Sequence, residues 1–375
     1  MMKKIKVCHI TSAHQRHDVR IFEKECVSLS NFGYNVYEIV NDDAHDEEYK
    51  GVHIVSTGVL PANRLERMFK SMKYILKLAI EIDADIYHLH DPELLRIAKK
   101  LLANNKKVIF DSHEFSAMQI LTKAYIPIWA RGIMSKIYKK YEFHILRTID
   151  GLVVPCTYDG KDYFENIDIP KVIIGNCPIT DADDSILPDS HTHVNEEKAC
   201  YLGGITEARG IFSMVRGCHR VGIKLRLIGK ISDELLEKIN NMPEAECVEM
   251  LGVLNHEEAL LKASECMIGL SLLQDIGQYS KIDNLPTKVY EYMQMGMPVV
   301  VSKFPFYENI ISEYKFGIAV NPQSPEEIAE AIEYILKNPL VAQEMGEAGK
   351  RAVNEKYNWE VEASRLYDFY ATILS

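Results

Sequence analysis

Short runs rich in β-branched residues alternate with helical segments along the whole 375-residue chain. In the first half, strand patterning falls at residues 6–11, 35–40, 53–56, 86–90, 107–111, 151–155 and 171–175. Helical patterning fills the intervals at 19–31, 65–82, 92–103 and 126–150. Strict strand–helix alternation requires right-handed crossovers, and so a mostly parallel sheet with helices on both faces. The rhythm stops at NCPITDADDSILPDSHTHVNEEKA, residues 176–199, where Pro, Asp and Ser replace periodicity. A second series then runs to the C-terminus, with strands at 198–202, 225–228, 247–251, 267–270, 299–302 and 317–320. The expected α/β architecture is a Rossmann-like domain over 1–176, a linker over 177–196 and a second Rossmann-like domain over 197–357. A final helix, 358–375, is expected to pack back on the first domain. Two such doubly wound domains facing across a cleft would take ligands at the C-terminal ends of their strands.

Composition narrows the function classes. A net charge of −11 argues against nucleic-acid binding. No run of about 18 apolar residues suggests a membrane span, and MMKKIKVCHITSA lacks the long apolar core of a signal peptide. The chain reads as cytoplasmic. Its eight cysteines are scattered without a C-x-x-C pair, as expected for reduced core thiols.

The segment NLPTKVYEYMQMGMPVVVS, residues 284–302, carries chemistry. Pro286 suits the first helical position and Gly296 the residue after the last turn. Free backbone N–H groups near Thr287 and Lys288, backed by the helix dipole, suit an anion such as phosphate. Glu291, one turn on, suits the paired hydroxyls of a ribose. A solvated Lys–Glu pair is the competing reading, but Tyr290, Tyr292 and Met293 argue for a partly buried helix. In YLGGITEARGI, residues 201–211, a strand ends in Gly203–Gly204 and a short loop delivers Arg209. Glycines admit a ligand close to backbone, and Arg holds phosphate in a fork.

The first half places polar clusters at strand ends. DSHEF puts Asp111, His113 and Glu114 after one strand, and IYHLHDPELL puts His88, His90, Asp91 and Glu93 after another. Helix capping by Asp91 or Asp111 is the competing reading. The loop SAHQRHDVRIF offers Arg16, His17 and Arg20, with His90 and Asp91, as acceptor-binding groups. Its alternative has Asp18 capping a helix from Val19 and Arg20 facing solvent.

These segments resemble family 4 glycosyltransferases, retaining enzymes of the GT-B fold. With HITSAHQRHDVRIFEKECVSLSNFGYNVYEIV and VIFDSHEF, the likeness covers nearly the whole chain and resembles the bacterial capsule and O-antigen branch. The resemblance implies that Arg209 contacts the donor diphosphate. Lys288 takes the part of a second family cation where this chain has Gly204. Glu291 holds the ribose, and Gly252–Val253 grips the base through backbone atoms. Asp283 stands where the family commonly has a glutamate that orients the transferred sugar, and His113 lies near that sugar. The implied reaction moves a sugar from a nucleotide-diphosphate sugar to a lipid-linked glycan, by front-face attack with the leaving phosphate taking the acceptor's proton.

No cofactor and no metal are expected. Asp83-x-Asp85 and Asp181-x-Asp183 match the D-x-D string of metal-dependent transferases, but one precedes a strand and the other lies in the linker. Basic and aromatic residues interleave over 115–141, and a second basic series runs from Arg64 to Lys77. Both predict peripheral contact with the inner membrane surface, against a merely solvated helix. Rival functions are a nucleotide-sugar 2-epimerase, using Asp91, Asp111 and Glu114 as acid and base, and a non-catalytic sugar-nucleotide sensor.

Overall fold

The computed structural model describes residues 4–123, 125–180 and 196–375. Asp181, Asp183 and most of the expected linker lie outside the described residues. The chain divides into two compact units, Met1–Asn176 with Glu360–Ser375, and Cys177–Trp359.

The first unit holds strands β1 (Lys6–Ile10), β2 (Asn35–Val40), β3 (Glu47–Tyr49), β4 (Val52–Ser56), β5 (Ile86–Leu89), β6 (Lys107–Asp111), β7 (Gly151–Val154) and β8 (Lys171–Ile173). They form one sheet in the order β3-β4-β2-β1-β5-β6-β7-β8. Pairing is parallel throughout except between β3 and β4. Strands β5 and β7 are buried end to end, as expected for strands covered on both faces. Strand β3, sequence EEY, was not foreseen, because three exposed residues show no apolar alternation.

Helix Val19–Cys26 winds as a π-helix before continuing as α-helix over Val27–Asn31. Asp18 caps it, accepting from the backbone N–H groups of Arg20 and Ile21 at 2.9 and 3.0 Å. The C-terminal helix Trp359–Leu374 lies against β7. A Cβ at Gly151 would come within 2.7 Å of the Phe369 ring, so the absence of a side chain sets how closely this helix sits.

The second unit holds β9 (Glu196–Leu202), β10 (Lys224–Ile228), β11 (Val248–Gly252), β12 (Cys266–Ser271), β13 (Val299–Ser302) and β14 (Gly317–Val320). All pairs are parallel, in the order β11-β10-β9-β12-β13-β14. The direction of winding reverses between β9 and β12, the place where open α/β sheets bind ligands. Helix Thr287–Gln294 packs on β12 through Tyr292, whose ring would lie 2.4 Å from a Cβ at Gly269. Even an added methyl there would overpack the core, at a cost of about 1–3 kcal/mol. A further helix, Pro305–Tyr314, was missed, because its aromatic-rich sequence blurs the helical period. All eight cysteines are buried free thiols.

Candidate functional site

In the second unit, three loops interlock at the C-terminal ends of β9, β10 and β11. Gly203, at φ 97°, donates its N–H to the Ile228 carbonyl at 2.8 Å. Gly229, at φ 145°, donates to the Gly252 carbonyl at 2.7 Å. A Cβ at Gly229 would stand 2.0 Å from the Gly203 carbonyl oxygen, so only glycine fits. Sequence reasoning passed over Gly229, although a glycine directly after an apolar strand was its signal. Gly252 closes this set, and the adjacent Val253 is exposed.

Two cations lie over the Gly203–Gly204 turn. Arg209 donates from Nη1 to the Gly204 carbonyl at 3.2 Å. From the Cβ position at Gly203, the Lys288 ammonium is 3.5 Å away and Arg209 Nη1 3.8 Å. Lys288 Nζ lies 3.8 Å from the centroid of the Tyr201 ring. The side chain is only 8% exposed, and among the described residues no carboxylate forms an ion pair with it. Burial first, then the neighbouring Arg209 charge, lowers its pKa from the ordinary 10.5 to about 7, with Glu291 opposing. Such a cation gains from any anion brought beside it.

Lys288 and Glu291 share helix Thr287–Gln294. Pro286 stands one residue earlier than expected, flanking the first turn instead of opening it, with φ −58° and ψ 142°. Gly296 follows the helix at φ 73°, as its C′ role requires. The partly buried Glu291 carboxylate lies 4.0 Å from His256 Nδ1. Asp283 is half-buried in the segment leading to this helix. The structure therefore gathers Gly203, Gly204, Arg209 and Lys288 around one turn. It links Gly252 to that turn through Gly229.

The first unit's strand ends are built differently. Asp91 does not cap the helix that follows it. Its Oδ2 instead accepts from Thr11 Oγ1 at 2.9 Å, Ser12 N at 2.6 Å and Ala13 N at 3.1 Å. Burial opposes its charge, yet the nearby His14 and these donors hold its pKa below the usual carboxylate value. Asp91 thus pins the loop after β1.

Arg20 is buried rather than solvent-facing, and its guanidinium grips Asp111 through Nε at 3.2 Å and Nη2 at 2.9 Å. That position withdraws it from contact with an acceptor and corrects the expectation that it binds one. Arg16 and His17 meet Asp42 and Glu47. Arg16 Nε lies 2.9 Å from Asp42 Oδ2, and His17 Nε2 lies 3.2 Å from Glu47 Oε1.

His90 is fully enclosed between two other imidazoles. Its Nε2 lies 2.8 Å from His9 Nδ1 and its Nδ1 lies 3.1 Å from His113 Nε2. His113, partly exposed, also reaches Asp111 Oδ2 at 3.1 Å, which fixes the carboxylate-facing nitrogen. Burial pushes His90 down to about 4, and His9 and His88 well below the usual range. Behind them lies Glu25, fully buried, its pKa raised by burial and by Asp111. His9 and Glu25 were missed in the sequence. An i→i+5 helix puts residues five apart on one face, so Glu25 shares a side with Arg20 in a way α-helical spacing conceals.

The folds of both units are those of the GT-B class. Sucrose-phosphate synthase from Thermosynechococcus elongatus superposes at TM-score 0.76 with 16% identity, covering 99% of both chains. A crystal structure of Anabaena HepE in complex with UDP superposes at TM-score 0.68 with 11% identity, covering 99% of this chain and 100% of that one. The family model for Glycosyltransferase Family 4 matches residues 19–178, and that for Glycosyl transferases group 1 matches 184–352. The two matches run in succession along the chain, the first mainly over the first unit and the second within the other. Among curated relatives, alpha-maltose-1-phosphate synthase of Mycolicibacterium smegmatis is 22% identical over 210 residues, 51% of this chain and 52% of that protein. The chain spans about half the length of the first curated relatives it matches, 45% and 52%.

Proposed function

We propose that the protein is a retaining glycosyltransferase that takes a sugar from a nucleotide-diphosphate donor and adds it to a lipid-linked surface glycan of the capsule or O-antigen kind. The observation that carries the donor half is the pair Arg209 and Lys288 over the Gly203–Gly204 turn. Two cations near an open glycine backbone, one of them buried without a carboxylate partner, suit the charge that develops on a departing diphosphate. No divalent ion is needed for that task. The UDP held by the Anabaena neighbour supports a uridine nucleotide as the first donor to try. Glu291 then takes the ribose and the Gly252–Val253 turn the base. Asp283 and His113 orient the sugar, His113 being held by Asp111. Arg16, His17 and the Asp91-pinned loop serve the acceptor.

Of the three carboxylates an epimerase would use, Asp91 and Asp111 are committed to backbone donors and to Arg20, and only Glu114 is exposed, which weighs against that rival. The test is incubation with UDP-sugars, with and without lipid-linked acceptor, followed by NMR of the product anomer. An α-linked product from an α-donor, formed only with acceptor, is expected. Conversion of the donor sugar without acceptor would identify an epimerase instead.

The membrane part of the proposal rests on helix Ile128–Leu146, where Ile128 is 81% and Trp129 80% exposed, with Ile133 and Ile137 also bare. Exposed Lys136 and Lys140 flank them. Arg64 Nη1 donates to Tyr125 Oη at 2.6 Å, joining the second basic segment, with its exposed Leu65 and Phe69, to this face. Bare aliphatics and a Trp ringed by Lys and Arg match an anionic lipid surface. Among the described residues no helix is long and apolar enough to cross a membrane.

A further inference from the structure

We propose that His9, Glu25, His88 and His90 bind a transition-metal ion, zinc by ligand class, inside the first unit and apart from the donor diphosphate. One ligand atom from each residue lies within 4.8 Å of every other, and all four residues are buried. Glu25 Oε2 is 3.9 Å from His9 Nδ1, 3.8 Å from His88 Nδ1 and 4.0 Å from His90 Nε2. Three imidazole nitrogens therefore stand nearly equidistant from one carboxylate oxygen. Zinc bonds of about 2.0–2.2 Å in a tetrahedron set ligand atoms roughly 3.3–3.6 Å apart. Small side-chain rotations draw Glu25 inward and open the 2.8 Å gap between His9 and His90.

Charge and hydrogen bonding point the same way. Neither Glu25 oxygen has a hydrogen-bond partner among the described residues, although both are buried. Arg20 Nε approaches Oε1 at 3.3 Å, but that guanidinium is already shared with Asp111. One guanidinium facing two enclosed carboxylates leaves one positive charge to be supplied, by a proton on Glu25 or by a cation in its place. A divalent ion supplies that charge, and the imidazoles supply the remaining ligands. Outer contacts suit the role at two of the three imidazoles, since ligating histidines usually anchor their second nitrogen, whereas His88 Nε2 has no partner among the described residues. Tyr370 Oη lies 3.4 Å from His9 Nε2, and His113 Nε2 lies 3.1 Å from His90 Nδ1. The Tyr370–His88 Nδ1 contact, 2.8 Å, is exchanged for the metal bond. Through His90, the ion would stiffen the seat of His113.

The test uses the full chain, purified without a histidine tag or chelator from cells grown with added zinc or, separately, cobalt. Elemental analysis should find about one equivalent of metal per chain, as a closed structural site implies. The cobalt form should show visible absorption of a tetrahedral nitrogen/oxygen site, and X-ray absorption should show imidazole outer-shell scattering. Glu25→Gln and His88→Gln should each lose the metal, whereas His113→Gln should keep it. Metal-free wild type from both cultures would overturn the proposal and assign the missing charge to a proton on Glu25. So would metal lost in His113→Gln but kept in Glu25→Gln, which would put the ion on His90, Asp111 and His113. If the substituted chains do not fold, the wild-type stoichiometry and scattering decide alone. Donor turnover is not read, so failure here is separate from failure of the glycosyltransferase assignment.

Discussion

The two units share a parallel-sheet plan but finish their strand ends in opposite ways. In the first, Arg20, Asp91, Asp111 and three histidines, His9, His90 and His113, are bonded mainly to one another and to backbone. In the second, glycines line the ends and the nearby cations are left short of counter-charge. Desolvated polar groups already paired make a rigid seat, whereas desolvated cations short of counter-charge form a receptor completed by its ligand. The contrast assigns shape-holding to the paired groups of the first unit, Glu25 apart, and anion-binding to the second.

The sharpest break in that comparison is Arg20→Ala. Removing one member of an enclosed ion pair leaves Asp111 charged and uncompensated, at a cost of about 3–5 kcal/mol. Urea denaturation should register this loss while UDP affinity of the remaining folded protein stays as in wild type. Equal loss of UDP affinity would mean that the units do not divide the work. Gly229→Ala should act in the reverse sense, destabilising by about 1–3 kcal/mol through the clash with Gly203 and weakening UDP binding measured by calorimetry. An unchanged affinity would place the nucleotide away from these loops.

A pH series sharpens the point at Lys288. The ammonium that meets the diphosphate is present below about 7 and must be regained by proton uptake above it. UDP affinity should therefore fall as pH rises from about 7.5 to 9.5, by up to about tenfold per unit, until the bound-state pKa is reached. Lys288→Arg, whose charge does not titrate here, should flatten the profile. The stability sign is opposite. The folded pKa lies below the unfolded value of 10.5, so the unfolded chain binds more protons between them. The second unit should then gain stability as pH rises through that window. The smallest effect on folding is expected for Trp129→Ser, within about 0.5 kcal/mol because the side chain is exposed. Flotation with anionic vesicles should nevertheless drop, and unchanged flotation would remove this face from the membrane proposal.

Most strands were legible from β-branched runs, and β2, β6, β13 and β14 match their expected limits. Those signals are local: a buried parallel strand is a short apolar run wherever it stands. Helix Thr287–Gln294 was legible for the same reason, punctuated by Pro286 and Gly296. What stayed hidden depended on distant partners. Nothing near Arg20 in sequence announces Asp111, and nothing near Gly229 announces the Gly203 carbonyl. Likewise, Glu25 reads as a surface charge in an α-helical pattern until the π-turn rotates it beneath the histidines.

The most direct test of the central claim is calorimetric titration of UDP into wild type and the Arg209→Ala/Lys288→Ala double substitution, with excess EDTA throughout. Two charge-assisted phosphate contacts at about 1.5–3 kcal/mol each predict tight binding by wild type, unaffected by the chelator, and a loss of at least about a hundredfold in the double substitution. Equal affinity in the two proteins, or wild-type binding that vanishes with EDTA, would contradict a metal-free electrostatic grip on the diphosphate.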